Sequence, residues 1–249
     1  YSPAEISLLA KDAITEALAA KLDATQTIGS RQVNAYLRVY DQMKDLIGAM
    51  RDNGIDVWVI TATSEPVVRA FSASVGLPTD HIVGVRMVLD PSGKQTYNLQ
   101  GCGDVPDGQN NGAAIFEGNS IMPYIDGKRC WVNKAIYGDS SPTAVNQRPE
   151  DKRQIFAAGD SNTDVAFVRD ATQLKLVLNR NKAELMCNAY ANYGNRYLVN
   201  PMFIDPKPQQ AAMYPCSTTA CTSAAGNAGP CLDEAQGPIP DQKDAVYPM

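Results

Sequence analysis

Ile155-Phe156-Ala157-Ala158-Gly159-Asp160-Ser161-Asn162-Thr163-Asp164 is the stretch whose reading decides the fold. Apolar residues running straight into Gly-Asp read as a strand buried in a parallel sheet, and the polar turn marks that strand's carboxyl end. This is the edge where α/β proteins place their ligands. Asp160 and Asp164 deliver two carboxylates there, and hard oxygen donors in such a place suit Mg²⁺, a cation that usually arrives with phosphate.

Downstream, Val165 to Val168 starts a helix, Leu174 to Leu178 forms another core strand, and Asn181 to Tyr193 a last helix. From Asp205 onward Pro, Gly, Ala and Ser dominate, which predicts an irregular surface tail. Upstream, Lys128 to Ile136 is a short helix, and residues 101–118, rich in Gly, Asn and Asp, form a long loop. Extended stretches at His81–Leu89 and Thr96–Leu99 flank Asp90-Pro91-Ser92-Gly93, the pattern of a β-hairpin. Val57-Trp58-Val59-Ile60 is a strand buried on both faces, Thr61-Ala62-Thr63 its turn, and Ser64 with Pro66 the start of a helix. The chain opens with a helix capped by Ser2, Pro3 and Glu5. A polar connection at Thr25–Ser30 leads to a second helix from Gln32 to Asn53. The fold class is α/β with a Rossmann-like parallel sheet.

Composition excludes several classes. A formal net charge of −5 over 249 residues argues against nucleic-acid binding, which needs a basic patch. No apolar run approaches the ~20 residues that span a bilayer. The first residue is Tyr1, so a processed or cut chain is expected. Six cysteines, with no Cys-x-x-Cys pair and only His81 to accompany them, do not match a zinc site. Cys216, Cys221 and Cys231 sit among Ser, Thr, Gly and Pro, poor surroundings for buried thiols. Disulfides in a secreted or periplasmic protein are expected, with buried thiols of a cytoplasmic enzyme as the alternative, and the pairing is open. There is no Asn-x-Ser/Thr sequon to support glycosylation.

Three further residues carry chemistry. Thr61, with the turn amide of Ala62, can hold a phosphate oxygen at the end of its strand, and Lys134 can offset phosphate and carboxylate charge. Lys128, six residues earlier, is the alternative lysine. With Asp160 and Asp164 as metal ligands, this set suits phosphoryl transfer, where catalysis is positioning plus charge stabilisation. The ordinary uses of the same residues are a helix cap for Asp160, a turn hydroxyl for Thr61 and a surface lysine. Trp58 and Trp131 read as core packing, although Trp131 could border a pocket for a quaternary ammonium. His81 reads as structural.

In order and context these residues resemble the haloacid-dehalogenase-like phosphatase superfamily. Its second motif is a strand ending in Ser or Thr (Val57 to Thr61), its third a lysine (Lys134 in Asn133-Lys134-Ala135-Ile136), and its fourth Gly-Asp-x-x-x-Asp (Gly159 to Asp164). The hairpin at Asp90–Gly93 is similar to an insert of phosphoserine-phosphatase-like members, including secreted phosphorylcholine phosphatases. The resemblance implies a Mg²⁺-dependent phosphatase acting on a small phosphate monoester through an aspartyl phosphate. Catalytic roles would fall to Thr61, Lys134 and Asp160, substrate binding to Thr61, Ala62 and Lys134, and the metal to Asp160 and Asp164.

The family's first motif, Asp-x-Asp, occurs nowhere in the 249 residues. In the family that motif ends a strand lying between the strands of the second and fourth motifs, and a sheet lacking it would leave backbone groups unpaired. The expectation is an N-terminal segment of the same protein, bound non-covalently or absent, that supplies the nucleophile. On this reading residues 1–30 are the end of a helical cap, 31–204 the α/β core and 205–249 the tail. An inactive binding or structural relative is the alternative.

Overall fold

The structure, a computed structural model, describes residues 1–109, 122–222 and 227–245, in two units, Tyr1–Gln100 and Gly101–Met249. In the first unit, Ser2 and Glu5 form the expected capping box, with Pro3 in the first turn of α1 (Pro3–Ala19). An antiparallel hairpin follows, β1 (Thr25–Ile28) with β2 (Arg31–Asn34), where a polar connection and a helix start were expected. Gly29, at φ +60°, makes the turn, and the β-branched residues Thr25, Thr27, Ile28 and Val33 favour extended backbone over helix. The second helix, α2 (Asp41–Asp52), therefore begins nine residues later than Gln32.

β3 (Val59–Ser64) carries Thr61 and Ala62 inside the strand, so the expected turn lies further on and α3 (Glu65–Phe71) starts directly after it. β3 pairs in parallel with β4 (Ile82–Val85), whose four residues are all buried. β4 falls in the stretch expected to belong wholly to the hairpin, while β5 (Met87–Leu89) and β6 (Gln95–Leu99) form that hairpin around Asp90. Gly84 is required where β4 meets β3, because a Cβ there would lie 2.6 Å from the Thr63 carbonyl oxygen. Glu65, buried at this junction, accepts from the Gly84 amide at 3.0 Å and Arg86 Nε at 2.6 Å and pairs with Arg69 at 2.7 Å. Val59 and Ile60 are half-buried, not sealed on both faces, and β3 has a strand partner on one side only among the described residues. Trp58 stacks on His81 at 4.4 Å, and His81 Nδ1 contacts the Val57 carbonyl at 3.0 Å, a structural role for the single histidine.

The second unit holds α4 (Asp126–Ala135), β7 (Phe156–Gly159), α5 (Val165–Asp170), β8 (Leu174–Asn179), α6 (Ala183–Ala191) and β9 (Tyr197–Pro201). The strands form a parallel sheet in the order β7-β8-β9. β9 had no counterpart in the sequence reading: Tyr197-Leu198-Val199 is short and ends at Asn-Pro, yet it completes the sheet edge. Its core includes Trp131, Val168, Val177, Leu185 and Met186, none more than 1% exposed. Part of the loop expected over 101–118 lies outside the described residues.

The tail is irregular but fastened. Disulfides join Cys102–Cys130, Cys187–Cys216 and Cys221–Cys231, and among the described residues no cysteine is free. Asp244, fully buried, accepts from Tyr190 Oη, Asn179 Nδ2 and the Gln210 amide. Burial, with the Asp244 carboxylate next, holds the Tyr190 phenol far above its usual range. Short pairings of Cys221–Thr222 with Ala228–Gly229, of Tyr214 with Gln242 and of Leu232 with Pro238 supply its regular structure among the described residues. Among the described residues no helix is long and apolar enough to cross a membrane.

Candidate active site

β7 ends at Gly159, and the glycine is dictated by what lies against it. A Cβ at this position would sit 2.6 Å from Asp164 Cβ and 3.0 Å from Val168 Cγ2. The missing side chain lets the loop fold back so that Asp164 Oδ2 accepts from the amides of Asp160 (2.9 Å) and Ser161 (3.0 Å). Ser161 and Asp164 form a reciprocal capping box around the turn Asn162–Asp164 that leads into α5. Asn162 Oδ1 accepts from the Leu185 amide at 3.2 Å, near the amino end of α6, where Lys182 offers no side-chain cap. The loop is thus clamped from both sides.

Lys128, in the first turn of α4, is the lysine that reaches this loop. Its Nζ bonds Asp164 Oδ1, and both side chains are nearly sealed from solvent, at 7% and 4% exposure for the residues. Lys134 lies six residues further along α4, where its Nζ donates to the Gly101 carbonyl at 2.7 Å and rests 4.9 Å from the Trp131 ring. Helical spacing explains the difference: six residues put the two lysines on different sides of the helix. Trp131 itself is wholly buried and serves packing.

Asp160 differs from Asp164 in every respect that matters for a ligand. Its carboxylate is 43% exposed at the strand's carboxyl end, and among the described residues it pairs with Arg180 Nη1, 2.9 Å from Oδ2. Arg180 was not among the expected site residues. Its position just past β8, whose carboxyl end lies next to that of β7 in a parallel sheet, was the signal that could have found it. Among the described residues no cluster of three or more His, Cys, Asp or Glu side chains stands ready to hold a metal.

Thr61 and Ala62 belong to the first unit. The Thr61 hydroxyl accepts from the Thr63 amide at 3.2 Å within β3, where the pairing with β4 is irregular, and Ala62 and Thr63 are exposed.

A family model described as "haloacid dehalogenase-like hydrolase" matches residues 4–169, two thirds of the chain. The chain belongs to the haloacid dehalogenase-like hydrolases. Membership in this hydrolase family accounts for a parallel sheet with an acidic loop at its carboxyl edge. A solved structure, "a conserved functionally unknown protein from Anaerococcus prevotii DSM 20548", is similar to it with a TM-score of 0.56 and 22% identity. That similarity, which covers 81% of this chain and 50% of the other, shows the fold alone, and this chain matches half the length of that protein. No curated protein matches the sequence.

Proposed function

We propose that this haloacid dehalogenase-like hydrolase is a Mg²⁺-dependent phosphatase for a small phosphate monoester. The observation that carries the reading is the division of labour in the Gly159–Asp164 loop. Asp164 has both oxygens committed, to Lys128 and to two loop amides, and serves as the loop's anchor. Asp160, half-exposed at the strand end with Oδ1 uncommitted among the described residues, is left as the direct ligand. A single hard carboxylate oxygen fits Mg²⁺, which is often held by one or two carboxylates and otherwise by water and phosphate. When bound, Mg²⁺ would neutralise charge on the phosphoryl oxygens.

The remaining roles fall to the chain's own groups. Lys128 takes the place first expected for Lys134: its ammonium offsets the Asp164 carboxylate and keeps the loop amides facing outward. Arg180 holds the Asp160 carboxylate until a cation competes for it. Thr61, on the strength of its place in the motif order, would donate its hydroxyl to a phosphate oxygen, with the exposed Ala62 amide beside it.

The attacking carboxylate has to come from an Asp-x-Asp segment outside these 249 residues, since none occurs within them. Two strand edges support that reading. Among the described residues β3 and β7 each carry a ladder on one side only, and half-buried Val59 and Ile60 lie in one of these strands. The three disulfides support secretion or a periplasmic location. The absence of Asp-x-Asp equally favours a second reading, a family member that binds without hydrolysing.

Native protein supplied with Mg²⁺ and p-nitrophenyl phosphate tests the assignment. Turnover is expected, EDTA should stop it, and Asp160→Asn should lower kcat by about 10²-fold or more. Turnover unchanged by Asp160→Asn overturns the site. An inactive native protein that still binds phosphate esters supports the second reading.

A further inference from the structure

A polar cavity of about 670 Å³ lies wholly within the second unit and is large enough for a metabolite-sized ligand. Its walls come from α4, α5, α6, the segments entering β7, β8 and β9, the disulfide-held tail and Asn162 of the acidic loop. Five cationic side chains line it, and two of them are neutralised. Arg129 holds Asp170 at 2.5 and 2.8 Å, with Asp126 at 4.0 Å, and Arg196 faces Glu150 at 3.6 Å.

The other three have no ion pair among the described residues. Lys175, near the amino end of β8, is only 3% exposed, and its Nζ lies 4.9 Å from the Tyr197 ring. Arg153 precedes β7, and its Nε is buried without a hydrogen-bond partner. Arg169, on α5, has no hydrogen bond, and its charge is felt at Lys175, Tyr197 and Glu184. Facing them, also without ion pairs, are Glu184 and Glu234. Burial pushes the Glu184 carboxyl up to about 7, so a good part of it is neutral at physiological pH. Three cations without an ion pair thus face Glu234 and a Glu184 that burial keeps partly neutral.

A buried, unpaired lysine is costly, and burial lowers its affinity for a proton. Such a group persists where a bound countercharge offsets the cost. We propose that this cavity binds a small molecule bearing a phosphate or carboxylate group, held by Lys175, Arg153 and Arg169. Arg153, Lys175 and Arg196 mark the amino ends of β7, β8 and β9, so these anion holders stand at the sheet edge opposite Asp160. The anionic group would therefore sit away from Asp160, as an effector or structural anion, in a cavity that extends to Asn162 of the acidic loop. The inference does not depend on phosphatase chemistry at that loop.

Thermal unfolding of the whole protein in EDTA, with inorganic phosphate or citrate added at ionic strength matched by KCl, tests it. Either anion should raise Tm by about 2–4 °C with saturation in the millimolar range. A rise with phosphate alone assigns a phosphoryl group, and a rise with citrate alone a polycarboxylate. Lys175→Met should raise Tm without anion and abolish the anion effect, and Arg169→Gln should weaken that effect at least several-fold. Asp160→Asn should leave it intact. The proposal is overturned if neither anion acts saturably, if the rise persists in both cavity variants, or if it vanishes in Asp160→Asn while surviving in Lys175→Met.

Discussion

Lys128 and Asp164 form an ion pair beneath the Gly159–Asp164 loop, sealed from solvent, while Lys134 on the same helix bonds only a backbone carbonyl. Removing one member of a buried pair leaves the other charge uncompensated, at a cost of about 3–5 kcal/mol. Losing the Lys134 bond to Gly101 should cost about 1 kcal/mol. Lys128→Met is therefore expected to lower the urea midpoint far more than Lys134→Met and to remove the proposed phosphatase activity, which Lys134→Met should retain. Equal effects of the two substitutions on stability and turnover would reverse the assignment of the lysine.

Gly159 carries the second prediction. An added methyl at 2.6 Å from Asp164 Cβ has nowhere to go, because Asp164 is fixed by Lys128 and two amides and Val168 closes the other side. Overpacking of this kind costs about 1–3 kcal/mol and moves the backbone. Gly159→Ala should unfold at lower urea and lose activity by more than its stability loss alone explains, measured as kcat on protein verified folded by circular dichroism. Gly159→Ala with unchanged kcat would mean that the loop geometry is not set by this contact.

Much of this was legible in the residues. The apolar run before Gly159 announces a parallel strand, although only Ala157 of it is buried and Ile155 is exposed, and Asp160 and Asp164 announce its edge, because both signals are local. What was not legible depended on pairings distant in sequence. Lys128 and Lys134 look alike as letters; only the angle of α4 against the acidic loop separates them. β9 is too short to declare itself until β8 offers its ladder, and Arg180 gains meaning only when β7 and β8 lie side by side. The hairpin Thr25–Asn34 was read as connection and helix because its apolar residues are few and its strands exposed, which erases the alternation that betrays a strand. The cavity cations stayed hidden for the same reason: Arg153, Arg169 and Lys175 meet only after the sheet forms.

The tail supplies a third prediction. Cys187 lies on α6 and is wholly buried, and its bond to Cys216, 29 residues on, ties the irregular segment to the core. Closing a loop of that length stabilises by about 3–4 kcal/mol in the chain-entropy account. The double substitution Cys187→Ala/Cys216→Ala should lower stability by that order and make residues 205–245 sensitive to limited proteolysis ahead of global unfolding. Peptide mapping without reductant should find Cys102–Cys130, Cys187–Cys216 and Cys221–Cys231. Any other pairing would refute this account of the tail.

Glu184 gives a pH dependence whose sign follows from its burial. Desolvation raises its carboxyl from 4.5 to about 7, against the pull of Arg169 and with a smaller push from Asp126. The folded protein therefore holds a proton on this group, between pH 4.5 and 7, that the unfolded chain has released. Stability contributed by the neutral carboxyl is complete at or below the lower value and is lost as pH rises through about 7, by on the order of 3 kcal/mol. Glu184→Gln keeps the shape without the proton, so its unfolding free energy should gain on wild type by that amount between pH 4.5 and 8. Urea titrations of both proteins across this range are the measurement. Parallel stability profiles would show that Glu184 ionises in the folded state as easily as in the unfolded one.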